Sequence, residues 1–238
     1  GLKNHDSVIP FMKIGENEYW AYLSEGGAKD NMHSHIIRVR STISQIDTSI
    51  VQDIPVHGIP DAGINEYNGW KGWLMNLYEI DNNEWLAVLH YEDQDQDEPV
   101  KEAFRMGIAY SNDNASSFNH IGFILQPDLP DSIIKQGKTK GLINIAGAGL
   151  RWDENYFYIY FSDINTLDRS DRHLAVARAD KETVIDNARK GKNTKWYKYY
   201  NGEWKEPGMG GHSSNLGVGR SYHTTIMYNT YLEKWIMP

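Results

Sequence analysis

Four ionisable side chains that could perform acid–base chemistry lie near the ends of predicted strands. They are Asp6, Asp163, Glu206 and His223. A carboxylate can act as a general base or nucleophile, and an imidazole, which titrates near neutral pH, can act as a general acid. Three of these groups also have a structural interpretation: Asp6 as a solvated side chain, Asp163 as a turn cap and His223 as a buried histidine. Their chemistry therefore depends on whether the fold brings them together.

Metal-binding patterns in the sequence are incomplete. His33 and His35 place two imidazoles on one side of a strand, but no third ligand is evident. The segment Asp93–Glu98 resembles the start of a calcium-binding loop. Glu98 and Phe104 occupy the places where such a loop has its glycine and its closing glutamate. A solvated acidic loop is the preferred interpretation over a structural calcium, and no metal or cofactor is predicted.

One design recurs four times along the chain: two short β-favouring runs around a polar turn, which predicts a β-hairpin. The clearest copy is Leu142–Asp163, where an apolar run and an alternating aromatic run flank residues 151–155. The copies recur at a spacing of roughly 65 to 80 residues, longer than familiar blade repeats. The runs of the other three copies are Ser7–Lys13 with Glu18–Leu23, Trp73–Glu79 with Glu84–Tyr91, and Tyr222–Tyr228 with Glu233–Met237.

Further strand-like segments follow the first three hairpins, so that a full unit would hold four antiparallel strands, as a propeller blade does. The one convincing helix is Lys181–Lys190, with Asp180 as N-cap and Gly191 as a stop. One helix is too few for an α/β fold. The further segments are His35–Ile43, Phe104–Asp113, His120–Gln126, His173–Ala179 and Trp196–Trp204. The sequence thus predicts an all-β propeller with blades at about 5–60, 70–130 and 141–210, and the start of a fourth at 221–238.

The predicted loops differ in length between the two faces of such a propeller. The turns between the first and second strands of each blade are short. The links from the second to the third strand and the links between blades are long, and both emerge on the opposite face. That face also receives the start of every innermost strand, so we expect it to carry function; tolerated insertions are the alternative. The long links are Ser24–Ser34, Glu92–Ala103, Ser162–Arg172, Ser44–Gly72, Pro127–Gly141 and Lys205–Ser221. The predicted innermost strands are Val8–Met12, Leu74–Leu77, Ile143–Ala146 and Thr224–Met227.

Several motifs resemble the five-bladed β-propeller glycosidases, a superfamily that includes arabinanases, β-xylosidases and levansucrases. They are HDSVIP at His5–Pro10, WYKYYNGEW at Trp196–Trp204 and EPGMGG at Glu206–Gly211. The resemblance extends over most of the chain and implies a secreted, bacterial carbohydrate-active protein. About three and a half blades are present, so we expect either a truncated sequence or a second chain that covers the open sheet edge, because a propeller closes its ring.

The resemblance also implies roles for the ionisable residues. An Asp at the place of Asp6 is the base or nucleophile in the family. The equivalent place in unit four holds His223; relatives usually carry a Glu acid there, and some are thought to use His. The family's modulating Asp belongs at the start of unit three, but residues 141–144 offer none, so Asp163 is the substitute candidate. Glu206 is the fallback acid.

Carbohydrate is the substrate class that the resemblance implies. Trp70, in a long inter-blade link, is the best candidate for stacking on a sugar ring, although a propeller tryptophan more often packs between blades. Trp152 lies in a short turn on the opposite face and is discounted. The complete set of candidate substrate-binding residues is His5, His33, His35, Trp70 and Tyr222.

Composition excludes several other classes of protein. The net charge is −8 and no basic run stands out, which argues against nucleic acid as a partner. No stretch approaches the ~18 apolar residues of a membrane span. There is no cysteine, so disulfides, thiol catalysis and cysteine–zinc sites are excluded. The prediction is a glycosidase that acts on a poly- or oligosaccharide; a non-catalytic carbohydrate-binding or scaffold propeller is the alternative.

Overall fold

The structure is a computed structural model that describes residues 8–24, 36–42, 44–60, 70–93, 103–129, 133, 145–166, 169–218 and 225–237. The first sheet consists of β1 (Phe11–Lys13), β2 (Tyr19–Ser24), β3 (Ile36–Ser41) and β4 (Ile46–Asp53), in the order β1-β2-β3-β4. The second consists of β5 (Val56–His57), β6 (Lys71–Asp81), β7 (Glu84–Asp93), β8 (Ala103–Ser111) and β9 (Phe118–Leu125), in the order β6-β7-β8-β9-β5.

The third sheet consists of β10 (Ala146–Trp152), β11 (Tyr156–Asp163), β12 (His173–Asp180), β13 (Tyr197–Tyr200) and β14 (Glu203–Pro207), in chain order. A final hairpin pairs β15 (Met227–Asn229) with β16 (Lys234–Ile236). Helix α1 (Lys181–Arg189) connects β12 to β13. Strands β2 and β10 both contact β6, so the sheets follow one another side by side. This is the arrangement of consecutive propeller blades, and the predicted all-β propeller fold is confirmed; we call the three sheets blades one, two and three.

Blade two is buried on both faces, because successive residues of a strand point to opposite sides. In β7, Trp85, Ala87 and Leu89 face the core shared with blade one. Leu86 and Val88 face the core shared with blade three. This explains why β7 reads as an almost continuous apolar run. The residues that meet it include Met12, Tyr22 and Ile36 from blade one and Phe157, Ile159 and Phe161 from blade three.

Blade one has a fourth strand inside the segment Ser44–Gly72, which the sequence analysis took for a link. Strand β4 pairs with β3, and β5 crosses to pair in parallel with β9 of blade two. The signal was weak because β4 is an outer strand: Ile46, Ile50 and Val51 are 38–48% exposed. Polar residues between them break the apolar run. The expectation of a plain link was therefore wrong.

The segment Trp196–Trp204, expected to be one strand, is a hairpin. Strands β13 and β14 flank Asn201 and Gly202, whose φ angles are 49° and 86°. Two consecutive positive φ angles at Asn-Gly are typical of the turn that matches the twist of a two-stranded hairpin. Blade three consequently has five strands instead of four. The Asn-Gly pair was the signal that the sequence analysis overlooked.

Helix α1 begins and ends almost where the sequence indicated. The side chain of Asp180 accepts a hydrogen bond from the backbone N of Thr183 (2.8 Å) and so caps the N-terminus. Gly191, with φ 65°, follows the C-cap and lets the chain turn away. At the last turn, Arg189 binds Glu84 of blade two (2.5 Å), which fixes the helix between the two blades.

Candidate functional site

The first strands of the three blades converge on a cavity of 170 Å³, together with Thr225, which precedes β15. These walls agree with the predicted innermost segments Val8–Met12, Leu74–Leu77 and Thr224–Met227. In unit three the wall is formed by Ala148, two residues beyond the predicted segment Ile143–Ala146, and residues 143 and 144 lie outside the described residues. Blade one contributes Val8 and Phe11, near its beginning. Blade two contributes Met75 and Asn76, and blade three contributes Ala148; the other described lining residues are Ile9, Pro10 and Leu77. We call this space the axial cavity.

Asn76 holds the inner strands of blades two and three together at the wall of the axial cavity. Its side-chain amide donates to the carbonyl of Ala148, and its side-chain oxygen accepts from the N–H of Leu150 (3.4 Å). Both strands are irregular here: the β6 register shifts at Asn76, and the β10 register shifts around Gly147, whose φ is 59°. Bulges of this kind often lie next to functional sites. Asn76 therefore satisfies backbone groups that the irregular ladders leave free.

The described lining of the axial cavity has no titratable side chain. Asn76 and Thr225 supply its polar side-chain groups, and the other lining residues are apolar. Acid–base catalysis at this place thus requires groups from residues outside the described ranges. Val8 and Thr225 each follow a candidate at a distance of two residues, Asp6 and His223 respectively.

Six of the candidate residues lie outside the described part of the chain. Asp6, His223 and the candidate binding residues His5, His33, His35 and Tyr222 all lie outside the described residues, as does most of the acidic loop Asp93–Glu98. Their roles stay predictions. Among the residues that the structure describes, no group of three or more His, Asp or Glu side chains is arranged to hold a metal ion.

Asp163 lies in a fully buried ion pair. Its Oδ2 accepts hydrogen bonds from the ammonium of Lys198 (2.7 Å) and the hydroxyl of Ser213 (2.8 Å), and its Oδ1 accepts from the N–H of Ile164 (2.9 Å). Burial raises the pKa of the Asp163 carboxyl above its usual value, while these three donors act in the opposite direction. Both charged side chains are completely excluded from solvent. Asp163 thus fastens three chain segments together and does not face the axial cavity's lining.

Lys198 completes this network with its other two protons. They go to the carbonyls of Gln126, at the end of blade two, and Gly211 (2.8 Å each). The ring of His173 lies 2.9 Å from the Ser213 hydroxyl, which links the first residue of β12 to the same cluster. An ammonium has three N–H donors, and all three are used. The cluster therefore joins blades two and three and fixes the chain after β14.

Glu206 lies on β14 and is half-buried. Its carboxylate accepts a hydrogen bond from the backbone N of His212 (3.1 Å). The imidazole of His212 binds the carboxylate of Asp128 (2.9 Å), and its ring packs on Tyr200. This Asp–His pair escaped the sequence analysis because its members are far apart in the chain. Since Glu206 belongs to an outer strand and is not part of the axial lining, its role as an acid there stays a prediction without geometric support.

Trp70 is 2% exposed. Its ring packs against Phe123 (5.0 Å between centroids) and lies under the guanidinium of Arg105 (4.9 Å). Its faces are therefore covered by the chain, which favours packing over sugar stacking. Trp152, discounted earlier, is 40% exposed and contacts the ring of Tyr78.

Comparison with known proteins gives matches at the level of structure alone. No family model matches the chain, and neither does any curated protein sequence. An endo-1,5-alpha-L-arabinanase from Thermotoga petrophila RKU-1 matches with a TM-score of 0.49 and 12% identity, over 98% of this chain and 47% of its own. An alpha-L-arabinanase from Cellvibrio cellulosa, solved with arabinohexaose, matches at 0.41 and 10%, over 93% and 64%.

A third match is the RS223 β-xylosidase, with a TM-score of 0.41 and 15% identity, over 99% of this chain and 86% of its own. The chain spans about half the length of the Thermotoga arabinanase. Within the described ranges, no helix is long and apolar enough to cross a membrane. Solved structures similar to this chain thus include arabinanases and a xylosidase, with TM-scores below 0.5 and identities of 15% or less.

Proposed function

We propose that the axial cavity binds one sugar residue of a poly- or oligosaccharide and that the protein hydrolyses a glycosidic bond there. The observation that carries the proposal is the convergence of two chain segments on this cavity, at Val8 and Thr225. Each is preceded, two residues upstream, by a group that can exchange protons, Asp6 and His223. Val8 and Thr225 are more than 200 positions apart in sequence and line the same cavity, which supports the proposal that Asp6 and His223 act together there.

In this proposal the two groups divide the work of hydrolysis. The imidazolium of His223 donates a proton to the leaving glycosidic oxygen. The carboxylate of Asp6 either attacks the anomeric carbon or removes a proton from an attacking water. A separation of about 5 Å between the two groups would suit a covalent, retaining route, and about 6.5–9.5 Å would leave room for water and an inverting route. The secreted location and the identity of the sugar stay predictions.

The walls of the axial cavity support a positioning role for the described residues. The small side chain of Ala148 and the apolar side chains of Met75 and Val8 leave room for the C–H faces of a sugar. Asn76 is held in place by two bonds to β10 and is not free to move with the ligand. A preorganised wall of this kind lowers the ordering cost of binding.

The first test is a screen of plant, algal and bacterial glycans, followed by Asp6→Asn, which keeps the shape and removes the charge. We expect turnover of a cleaved glycan to fall at least ~10²-fold, the lower end of what a positioned acid–base group contributes. Binding should change much less. Asp47→Asn is the matched control, because Asp47 is an exposed carboxylate on blade one. Wild-type turnover in Asp6→Asn would show that Asp6 is not the base.

A non-catalytic carbohydrate-binding propeller is the second candidate. The lack of titratable groups in the described lining favours it, because such a cavity can bind without reacting. The same screen separates the two functions: a glycan that binds with micromolar to millimolar affinity and is never cleaved supports the binding protein. Cleavage that depends on Asp6 supports the enzyme.

A further inference from the structure

A cavity of 370 Å³ lies away from the axis, between the outer parts of blades two and three. One wall is the loop from Asn193 to Tyr197, and the other is formed by Phe123, Ile124 and the segment from Pro207 to Met209. Its size falls in the range of small-ligand sites, which are usually mainly apolar with a few polar groups. We call it the rim groove.

Both walls of the rim groove are fixed by hydrogen bonds and close packing. The Asn193 side chain donates to the carbonyl of Phe123 (2.7 Å), which ties the loop to β9. On the other side, Gly208 donates to the carbonyl of Trp196 (2.8 Å) and accepts from Gln126 (3.0 Å). A Cβ on Gly208 would lie 2.3 Å from the carbonyl oxygen of Ile124, so only glycine permits this approach. The groove is therefore a built feature of the fold.

The charge around the rim groove is opposite to that of the whole chain. Residues 189–198, RKGKNTKWYK, contain five Lys or Arg and no Asp or Glu, in a chain of net charge −8. This local basic segment was not predicted, because the net charge of the whole chain is negative. Arg189 and Lys198 are neutralised by Glu84 and Asp163.

Three cations of the segment stay available for an external anion: Lys190, Lys192 and Lys195. All three are exposed, and no ion pair is found for them in the described part of the chain. Lys190 stands at the C-terminus of α1, where a positive charge stabilises the helix dipole. That explanation does not extend to Lys195, which lines the groove itself and is the one charged side chain among the described lining residues.

The apolar part of the groove presents flat and exposed surfaces beside these cations. The ring of Tyr197 is 40% exposed and the side chain of Met209 is 39% exposed. A groove that holds an exposed aromatic ring and the ammonium group of Lys195, with Lys192 next to the lining residue Asn193 in the chain, suits a ligand with apolar C–H faces and repeated anionic groups. A nucleic acid carries one charge per ~1.7 Å of duplex and depends on extended basic surfaces, which a chain of net charge −8 does not favour.

We propose that the rim groove binds an acidic polysaccharide through Lys192, Lys195 and Tyr197. The anionic group is a carboxylate or a sulfate, which share the chemistry that an ammonium recognises. The choice of a glycan as the polymer rests on the proposed function, whereas the groove and its charge do not. The site would hold the polymer on the outside of the propeller while the axial cavity engages a single sugar residue.

Affinity electrophoresis and calorimetry with purified protein test the proposal. The probes are polygalacturonate, which carries carboxylates, carrageenan, which carries sulfates, and neutral arabinan. We expect at least one acidic probe to bind, more weakly as salt increases. The double variant Lys192→Gln/Lys195→Gln should weaken that binding about tenfold, since two exposed charge contacts are lost. Lys13→Gln/Lys234→Gln, with the same charge change at exposed lysines elsewhere, should retain wild-type affinity.

Further variants separate the rim groove from the axial cavity. Tyr197→Ala should weaken binding of the acidic probe, and Asp47→Asn, at an exposed carboxylate on blade one, should not. Failure of both acidic probes to bind, or equal weakening by the control pair, would overturn the rim site whatever the axial cavity does. The glycan assignment would be overturned if duplex DNA, or vesicles rich in anionic lipid, bound more tightly than the acidic glycans and if Lys192→Gln/Lys195→Gln abolished that binding. Conversely, loss of hydrolysis in Asp6→Asn with intact probe binding would leave both proposals standing.

Discussion

Removal of the Lys198 ammonium should destabilise the fold more than almost any other single polar substitution. Lys198→Met keeps much of the side-chain volume and removes the charge and three donors. It leaves the Asp163 carboxylate buried without its counter-ion, and the carbonyls of Gln126 and Gly211 without their donor. Breaking a buried pair from one side costs about 3–5 kcal/mol, which is a large share of the ~5–15 kcal/mol that a folded domain has.

The double variant Asp163→Leu/Lys198→Met tests whether the cost comes from the unpaired charge. Removing both charges should cost less than the sum of the two single losses, because no isolated ion is left in the core. Urea unfolding followed by tryptophan fluorescence gives the free energies of unfolding. The reasoning would be refuted if Lys198→Met lowered the free energy of unfolding by less than about 1 kcal/mol. It would also be refuted if the loss in the double variant equalled the sum of the losses in the two single variants.

The pH dependence of the same variants gives a second check. Burial raises the pKa of Asp163 in the folded state, so the folded protein binds more protons than the unfolded chain in the interval just above the usual carboxyl pKa. Stability from this group therefore decreases as pH rises through that interval. In Lys198→Met the carboxyl has lost the cation that opposes this rise. The free energy of unfolding that Lys198→Met loses relative to the wild type should therefore be larger at pH 8 than at pH 5.

Two other predictions concern packing and protonation. Gly208→Ala should destabilise the protein by roughly 1–3 kcal/mol in urea unfolding, because the new Cβ collides with the Ile124 carbonyl; an unchanged midpoint would contradict the close approach. Burial lowers the pKa of His120 to about 4, so the unfolded chain binds more protons between about pH 4 and 6.5. Stability should rise with pH across that window by less than the ~3.4 kcal/mol that about 2.5 pKa units correspond to, because the His120 ring is only partly buried. His120→Phe should flatten the slope.

Much of the fold could be predicted because blade two repeats its pattern clearly. Strands β6 and β7 are long, buried on both faces and joined by a short polar turn, so the apolar runs in the sequence are also the strands in the structure. Strand β4 lacked this signal since Ile46, Ile50 and Val51 face solvent at an outer position. The β13–β14 hairpin had a local signal in Asn201 and Gly202, but the aromatic run around it masked the turn.

The polar contacts were much less predictable, because sequence distance hides them. Asp163 was singled out for chemistry, yet its partner Lys198 lies 35 residues further along, and the burial that gives the pair its strength is a tertiary property. The Asp128–His212 pair escaped notice for the same reason. The basic segment at 189–198 was visible in the sequence, but its meaning depends on which of its charges find partners.

The division between the axis and the rim follows from how the blades are built. Inner strands must pack against neighbours on both sides, so their side chains are small or apolar, and Asn76 satisfies the backbone where two ladders are irregular. Reactive groups are more easily carried just before these strands, where Asp6 and His223 stand in the sequence. Outer segments have no such constraint, and Lys192 and Lys195 can remain exposed beside a groove whose walls Asn193 and Gly208 already fix. Chemistry at the axis and polymer binding at the rim can therefore change independently on one scaffold.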